Sequence, residues 1–225
     1  MKRFLILSLA TAGIFVVISS ARAIESYNHI YCETVVTDHT TYNREKCDWT
    51  HYTVTADLPF DNFKFGFSAS FGELEAYQDS LTTDFFNYHL KGGVPILNRE
   101  HVRLDLTGGY LHTEYEYGSN SYLINHQSMF LGIDLRLILS ERVWFDANYL
   151  RGLNPVVKTE INRVRADADM DSLEAANLRL NFLFLEDTAL SLGYVYEGFN
   201  SLKNNPGTAT LVKNKGYTLG LVSRF

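Results

Sequence analysis

Several residue types are scarce in these 225 residues. There are two cysteines, four prolines, three methionines and two tryptophans, and 20 Lys+Arg face 26 Asp+Glu. Two cysteines are too few for a disulfide-dense mini-scaffold, and neither has the close-spaced Cys or His partner of a zinc site. The acidic balance, a formal net charge of −6 with a pI of about 5.6, argues against duplex nucleic acid as a partner. After residue 23 no run approaches the ~18 consecutive apolar residues of a spanning helix. A mean hydropathy of −0.12 agrees in excluding a helical membrane bundle. Collagen-like, coiled-coil and low-complexity compositions are absent too. With no Gly-rich phosphate loop, zinc signature or cofactor motif, neither cofactor nor metal is expected.

What is present begins with an export signal. Lys2 and Arg3 precede an uncharged, mostly apolar run from Phe4 to Ser20, and Ala21-Arg22-Ala23 fits a small-x-small cleavage site. Residues 1–23 are therefore expected to be removed and 24–225 to fold as one domain. Removal takes away Lys2, Arg3 and Arg22 and no acid, so the mature chain is more acidic still. Cys32 and Cys47 survive, and in an oxidising compartment the pair predicts one disulfide.

From about residue 51 the repeating signal has period two. Phe63-Lys64-Phe65-Gly66-Phe67-Ser68-Ala69-Ser70-Phe71 alternates apolar and polar, as do Val102 to Thr107, Leu131 to Leu137, Leu178 to Phe182 and Leu190 to Tyr194. Strand side chains point alternately to opposite faces, so each segment is a strand with one apolar and one polar side. A soluble sandwich turns the apolar side inward, and a membrane barrel turns it outward. Full charges on the polar faces (Arg103, Asp105, Asp134, Arg136, Arg179) and segments of ten residues or more favour the membrane barrel. Aromatic residues near the expected strand ends (Phe60, Phe86, Tyr88, Tyr110, Tyr149, Tyr194, Tyr196, Tyr217) match interfacial girdles.

The last strand adds a motif. Tyr217, Leu219, Leu221 and a terminal Phe225 alternate in a way that resembles the C-terminal assembly signal of bacterial outer-membrane β-barrel proteins, such as small OmpA-, OmpX- and OmpW-like barrels. Ser223 departs from it, standing where a larger apolar residue is usual. The resemblance implies an antiparallel up-and-down transmembrane barrel in the outer membrane. It also implies contact with outer-membrane lipid and lipopolysaccharide, and folding by the outer-membrane barrel assembly machinery.

Connections alternate short and long, as in such barrels. Short ones fall at 58–62, 95–100, 140–141 and 186–188, and long ones near 76–84, 116–121, 153–172 and 200–212. That gives nine strands, and residues 24–49 must cross once more, as a tenth strand or as a plug. Placing Cys32 opposite Cys47 favours a strand, in a hairpin centred between His39 and Thr40. Ten strands are expected, with eight plus an irregular N-terminal segment as the alternative.

By parity the lumen receives Asp57, Lys64, His89, Lys91, Arg103, Asp105, Asp134, Arg136, Asp146, Arg179, Glu197 and Arg224. Near-balanced charges in a narrow tube suit a network tying the strands together, or the lining of a narrow porin-like pore. Glu73, Glu75, Asp79, Asp84, Glu114 and Glu116 flank external loops, suited to adhesion or to lipopolysaccharide through bridging divalent cations. Asp167-Ala168-Asp169-Met170-Asp171 resembles half a calcium loop but lacks the Gly and spaced Glu of an EF-hand. His126-Gln127-Ser128 superficially resembles the His-x-Ser pair of outer-membrane lipid A deacylases, yet parity turns both to the lumen. His112, Glu114, Glu116 and His126 lie where omptin proteases carry rim residues, without catalytic spacing. No catalytic residue is expected, and the chain is read as a structural or channel protein, not an enzyme.

Overall fold

Uninterrupted alternation and few prolines allow long strands, and the computed structural model has ten, from 13 to 20 residues each. It describes residues 29–42, 45–76, 82–117, 122–161, 164–201 and 210–224, with side chains for 51–73, 84–116, 123–158, 160, 172–198 and 215–223. In chain order the strands are β1 (His29–Tyr42), β2 (Glu45–Pro59), β3 (Lys64–Ala76), β4 (Thr82–Arg99) and β5 (Val102–Tyr117). They continue as β6 (Tyr122–Ser140), β7 (Val143–Ile161), β8 (Val164–Leu183), β9 (Thr188–Ser201) and β10 (Thr210–Arg224). Each pairs antiparallel with its chain neighbours, and β1 pairs with β10, from His29↔Arg224 to Thr41↔Lys213, to close the barrel. Closure leaves no unpaired sheet edge, which a bilayer requires.

Ten strands is the expected number, and residues 29–42 form a wall strand. The first hairpin differs from the expectation. Tyr42 pairs with Glu45, so the pairing of β1 with β2 runs out to these two residues and is not centred between His39 and Thr40. Cys32 then stands opposite Val54, and Cys47 opposite Thr40. Val54 and Cys47 are separated along β2 by about 23 Å of extended strand. Disulfides join Cα atoms roughly 4.4–6.8 Å apart, so this register does not make the two cysteines cross-strand neighbours. The cysteine side chains, residues 1–28, the Arg224 side chain and Phe225 lie outside the described residues.

Two expected loops are strand. β4 runs through Pro95, which sits at a register shift where a missing N–H costs no ladder bond, and turns only at Glu100-His101. The stretch expected to loop over 153–172 is mostly ladder, since β7 and β8 stay paired out to Ile161↔Val164. Asn154, at φ 49°, marks a bulge between the pairs Met129↔Leu153 and Gln127↔Val156. Asn tolerates that left-handed conformation better than most residues. The run Asp167 to Asp171 is accordingly strand, not a calcium-loop half.

The outward face is apolar at the short-turn end. Phe65, Val94, Leu106, Leu131, Ile133, Leu178, Leu192, Leu219 and Leu221 are all exposed there. Exposed residues of this kind, continuous around a barrel, belong in hydrocarbon. Aromatic side chains border this belt: Tyr52 lies 5.7 Å from Phe71, Tyr88 6.3 Å from Tyr110 and Tyr194 5.7 Å from Tyr217, centroid to centroid. This girdle lies in mid-strand, not at strand ends, because the strands continue past the membrane.

Beyond the girdle the two faces exchange character. Along β5 the outward set runs Leu104, Leu106, Tyr110 and then His112, Glu114, Glu116. The inward set runs Arg103, Asp105, Thr107 and then Leu111, Thr113, Tyr115, the last three buried. The short-turn half is a membrane barrel, and the far half has an apolar interior and a polar exterior.

Candidate functional site

The interior near the short turns is built from charge. Asp57 sits two residues before the end of β2, Lys64 opens β3, and β4, β6 and β7 supply Lys91, Asp134, Arg136 and Asp146. Lys64 Nζ lies 2.8 Å from Asp57 Oδ2 and 2.7 Å from Asp134 Oδ2. Lys91 Nζ repeats the arrangement at 2.6 Å from Asp134 Oδ2 and 3.4 Å from Asp57 Oδ1. Two ammonium groups and two carboxylates thus close a ring across the lumen. Lys91 reaches it by crossing Gly66, where a Cβ would collide with the lysine chain. That is the local reason for glycine in the middle of this strand.

The ring continues to one side. Arg136 Nη2 lies 3.8 Å from Asp57, and its Nε donates to Asp146 Oδ1 at 2.7 Å. Asp146 Oδ2 accepts from Trp144 Nε1 and from Asn181 Nδ2, each at 3.0 Å. Trp144 packs with Leu183, Ala189 and Val222 into an apolar cluster at the short-turn end. Arg103 Nε donates to both oxygens of Asp105 at 3.0 Å, and its Nη2 donates to the Phe60 carbonyl in the β2–β3 turn at 2.9 Å. Buried charges are tolerated when they are paired, and each of these faces an opposite charge.

The ten described lumen charges named from parity all line one interior cavity together with His89: Asp57, Lys64, Lys91, Arg103, Asp105, Asp134, Arg136, Asp146, Arg179 and Glu197. They divide into five cations and five carboxylates. The cavity holds about 90 Å³, with Thr53, Ser68, Ser70, Asn87 and Asn177 along its polar walls. That is room for several water molecules, at the ~10–15 Å³ of such space that one water needs.

On the far side of the cavity the lining turns apolar and aromatic. Leu111, Phe130 and Leu173 are buried together, with Leu150 and Val157 against them. Next to them Phe85 lies 5.6 Å from His51 and 5.4 Å from Tyr115, and Tyr115 lies 5.4 Å from His126. Of these residues only His126 was singled out from the sequence; the others, with Trp144, Asn181 and Gly66, were not. The readable signal was the reversal along β5, where the apolar residues pass to the opposite parity after Gly108-Gly109.

His126 and Ser128 are both buried on the inward face, as parity requires, while Met129 and Leu131 are exposed outside. Ser128 Oγ donates to the Met129 carbonyl at 2.6 Å. His112 is outward, its ring 5.1 Å from Tyr88 and its Nε2 3.8 Å from Glu114. His112 and His126 thus lie on opposite sides of the wall and do not form one rim site. Tyr217, Leu219 and Leu221 are exposed outside. Among the described residues no cluster of His, Cys, Asp and Glu is arranged to hold a metal ion.

No protein-family model matches the chain, and no curated protein sequence does. Solved structures do. Outer membrane protease OmpT from Escherichia coli aligns over 90% of this chain and 99% of its own, with TM-score 0.56 and 11% identity. An outer membrane channel from Pseudomonas putida F1 aligns over 88% and 94%, with TM-score 0.51 and 12% identity. At such identities the fold is what is shared, that of bacterial outer-membrane β-barrels. The protease corrects one expectation. The fold is one on which an enzyme operates, so reading the chain as not an enzyme does not stand.

Proposed function

We propose that this outer-membrane barrel is a closed anchor: its short-turn half holds it in the bilayer, its lumen is sealed, and its activity lies on the part standing outside the membrane. The observation that carries this is the ring of Asp57, Lys64, Lys91 and Asp134, whose contacts of 2.6–3.4 Å span the lumen. A pore needs groups weakly enough engaged to exchange partners with a passing ion. Here each lysine is already held by two carboxylates. Beyond the ring, Leu111, Phe130 and Leu173 set an apolar layer against the same path. A ten-stranded barrel lies near the size that side chains can fill.

The tall strands support the second half of the reading. β8 has 20 residues, about twice the ~9–11 that a membrane crossing needs. The surplus forms a rigid collar with His112, Glu114, Gln127, Lys158 and Glu160 on its outer face. Solute entry into proteoliposomes tests the sealed lumen. Swelling in small sugars should match protein-free vesicles, and swelling at porin-like rates would refute the closed lumen.

A further inference from the structure

Just beyond the girdle, the outward faces of β7 to β10 carry a group of side chains used by neither the lumen nor the apolar belt. One row of paired residues holds Tyr149, Ala176, Tyr196 and Lys215, and the next row outward holds Arg151, Glu174 and Gly198. Ala176 and Gly198 make a low floor between two tyrosines. The Tyr196 phenol leans over that floor, since a Cβ on Gly198 would come within 2.7 Å of its hydroxyl oxygen. Glu174 lies diagonal to Tyr149 across the β7–β8 ladder, on the same outward face.

The two cations beside this recess are under-used. Arg151 is 67% exposed, and Glu174, its nearest carboxylate, stands at the 4.0 Å limit of an ion pair. Lys215 is exposed and has no ion-pair partner among the described residues. Arg151 and Lys215 are three strand spacings apart and offset by two residues along the strands, about 16 Å between their backbones, a span their side chains can bridge through a group held between them. Directly below, Leu178, Leu192 and Leu219 are exposed on β8, β9 and β10. An aromatic girdle marks the level of lipid headgroups. Exposed cations at that level, above bare leucines, complement a molecule with phosphate at one end and hydrocarbon at the other.

We propose that this face binds the phosphate-bearing headgroup of an outer-leaflet lipid. Arg151 and Lys215 make charge-assisted contacts to phosphate oxygens, the Tyr196 hydroxyl donates between them, and the acyl chains lie along Leu178, Leu192 and Leu219. Glu174 faces the guanidinium from its Nε side. The site requires the barrel to be in a membrane but not the lumen to be closed, so solute entry into vesicles would leave it untouched.

Intact-complex mass spectrometry of the full mature barrel in detergent micelles, doped with bis-phosphorylated lipid A or with its dephosphorylated form, tests the site. Heat-shifted gel mobility first establishes that each variant is folded. The wild-type barrel should retain the phosphorylated lipid, and the paired variant Arg151→Gln/Lys215→Gln should lose at least tenfold in retention. Tyr196→Phe should lose severalfold. The control pair Arg142→Gln/Lys158→Gln, equal in charge removed but away from the recess, should bind as wild type. If the paired variant does not fold, the two single variants are read instead, each with a severalfold loss expected. Unchanged retention in the variants, an equal loss in the control, or equal retention of the dephosphorylated lipid overturns the proposal. Equally strong uptake of inorganic phosphate alone would also overturn it, as a phosphate site with no lipid specificity.

Discussion

The two halves of this barrel use the same strands in opposite senses. In the half bearing the short turns, leucine and phenylalanine face out, while lysine, arginine and aspartate face in. In the far half Phe85, Leu111, Tyr115, Phe130 and Leu173 face in, and Asp84, His112, Glu114, Gln127 and Lys158 face out. A soluble barrel and a membrane barrel are commonly treated as alternatives for one pattern of alternation. This chain has both in series, joined at the girdle. Strand geometry fixes only that successive residues alternate, and the solvent at each level decides which set is apolar. Where the outside is hydrocarbon, polar groups go inward and pair with each other. Where the outside is water, the ordinary rule of burial returns.

If that contrast is right, the same kind of damage should have different causes in the two halves. The largest effect is expected at Asp134, which serves both Lys64 and Lys91. Asp134→Ala leaves two buried ammonium groups on one carboxylate and should cost about 3–5 kcal/mol, read as the shift in urea unfolding of the folded barrel. A loss below 1 kcal/mol would mean water reaches the ring freely, and the charged half would no longer count as sealed. In the far half, Phe130→Ala removes an apolar centre and should cost about 3–5 kcal/mol through cavity formation, as in a soluble core. A near-neutral result there would remove the likeness to a soluble barrel. On the outer face the contrast is smaller and more local. Leu135→Arg in the belt should cost about 2–4 kcal/mol, and Gln127→Arg, four outward positions further along β6, about 0–1. Equal costs at both sites would place the girdle wrongly.

Much of the membrane half was legible in the sequence because two constraints act on it together. Hydrocarbon outside keeps one parity apolar, and a narrow interior keeps the other polar, so Leu131-Gly132-Ile133-Asp134-Leu135-Arg136 announces its faces unaided. The ten-strand count followed from parity and turn lengths. The far half was less legible for the same physical reason. With water outside and packing inside, the sign of alternation reverses, and around Asn154, Pro155 and Asp167 to Asp171 the composition resembles a loop although the ladder continues. The first hairpin was misplaced because β1 is polar at most positions, which pins a register weakly. Partners such as Asn181 and Trp144 for Asp146 depend on which strands curl toward each other, and no single-strand pattern encodes that. The reading as a non-enzyme drew on missing motifs, and a shared fold with a protease shows how little such an absence decides.

The measurement that bears most directly on the reversal is a depth scan of the outer face by spin labels in bilayers, with Cys32 and Cys47 replaced by serine. Labels at Leu106, Leu131 and Leu219 should be accessible to dissolved oxygen and shielded from a water-soluble nickel complex. Labels at Glu114, Gln127 and Lys158 should show the opposite, with the crossover between Met129 and Gln127 on β6. Lipid-like accessibility at Glu114 and Lys158 would put the bilayer across the far half and contradict the two-part barrel.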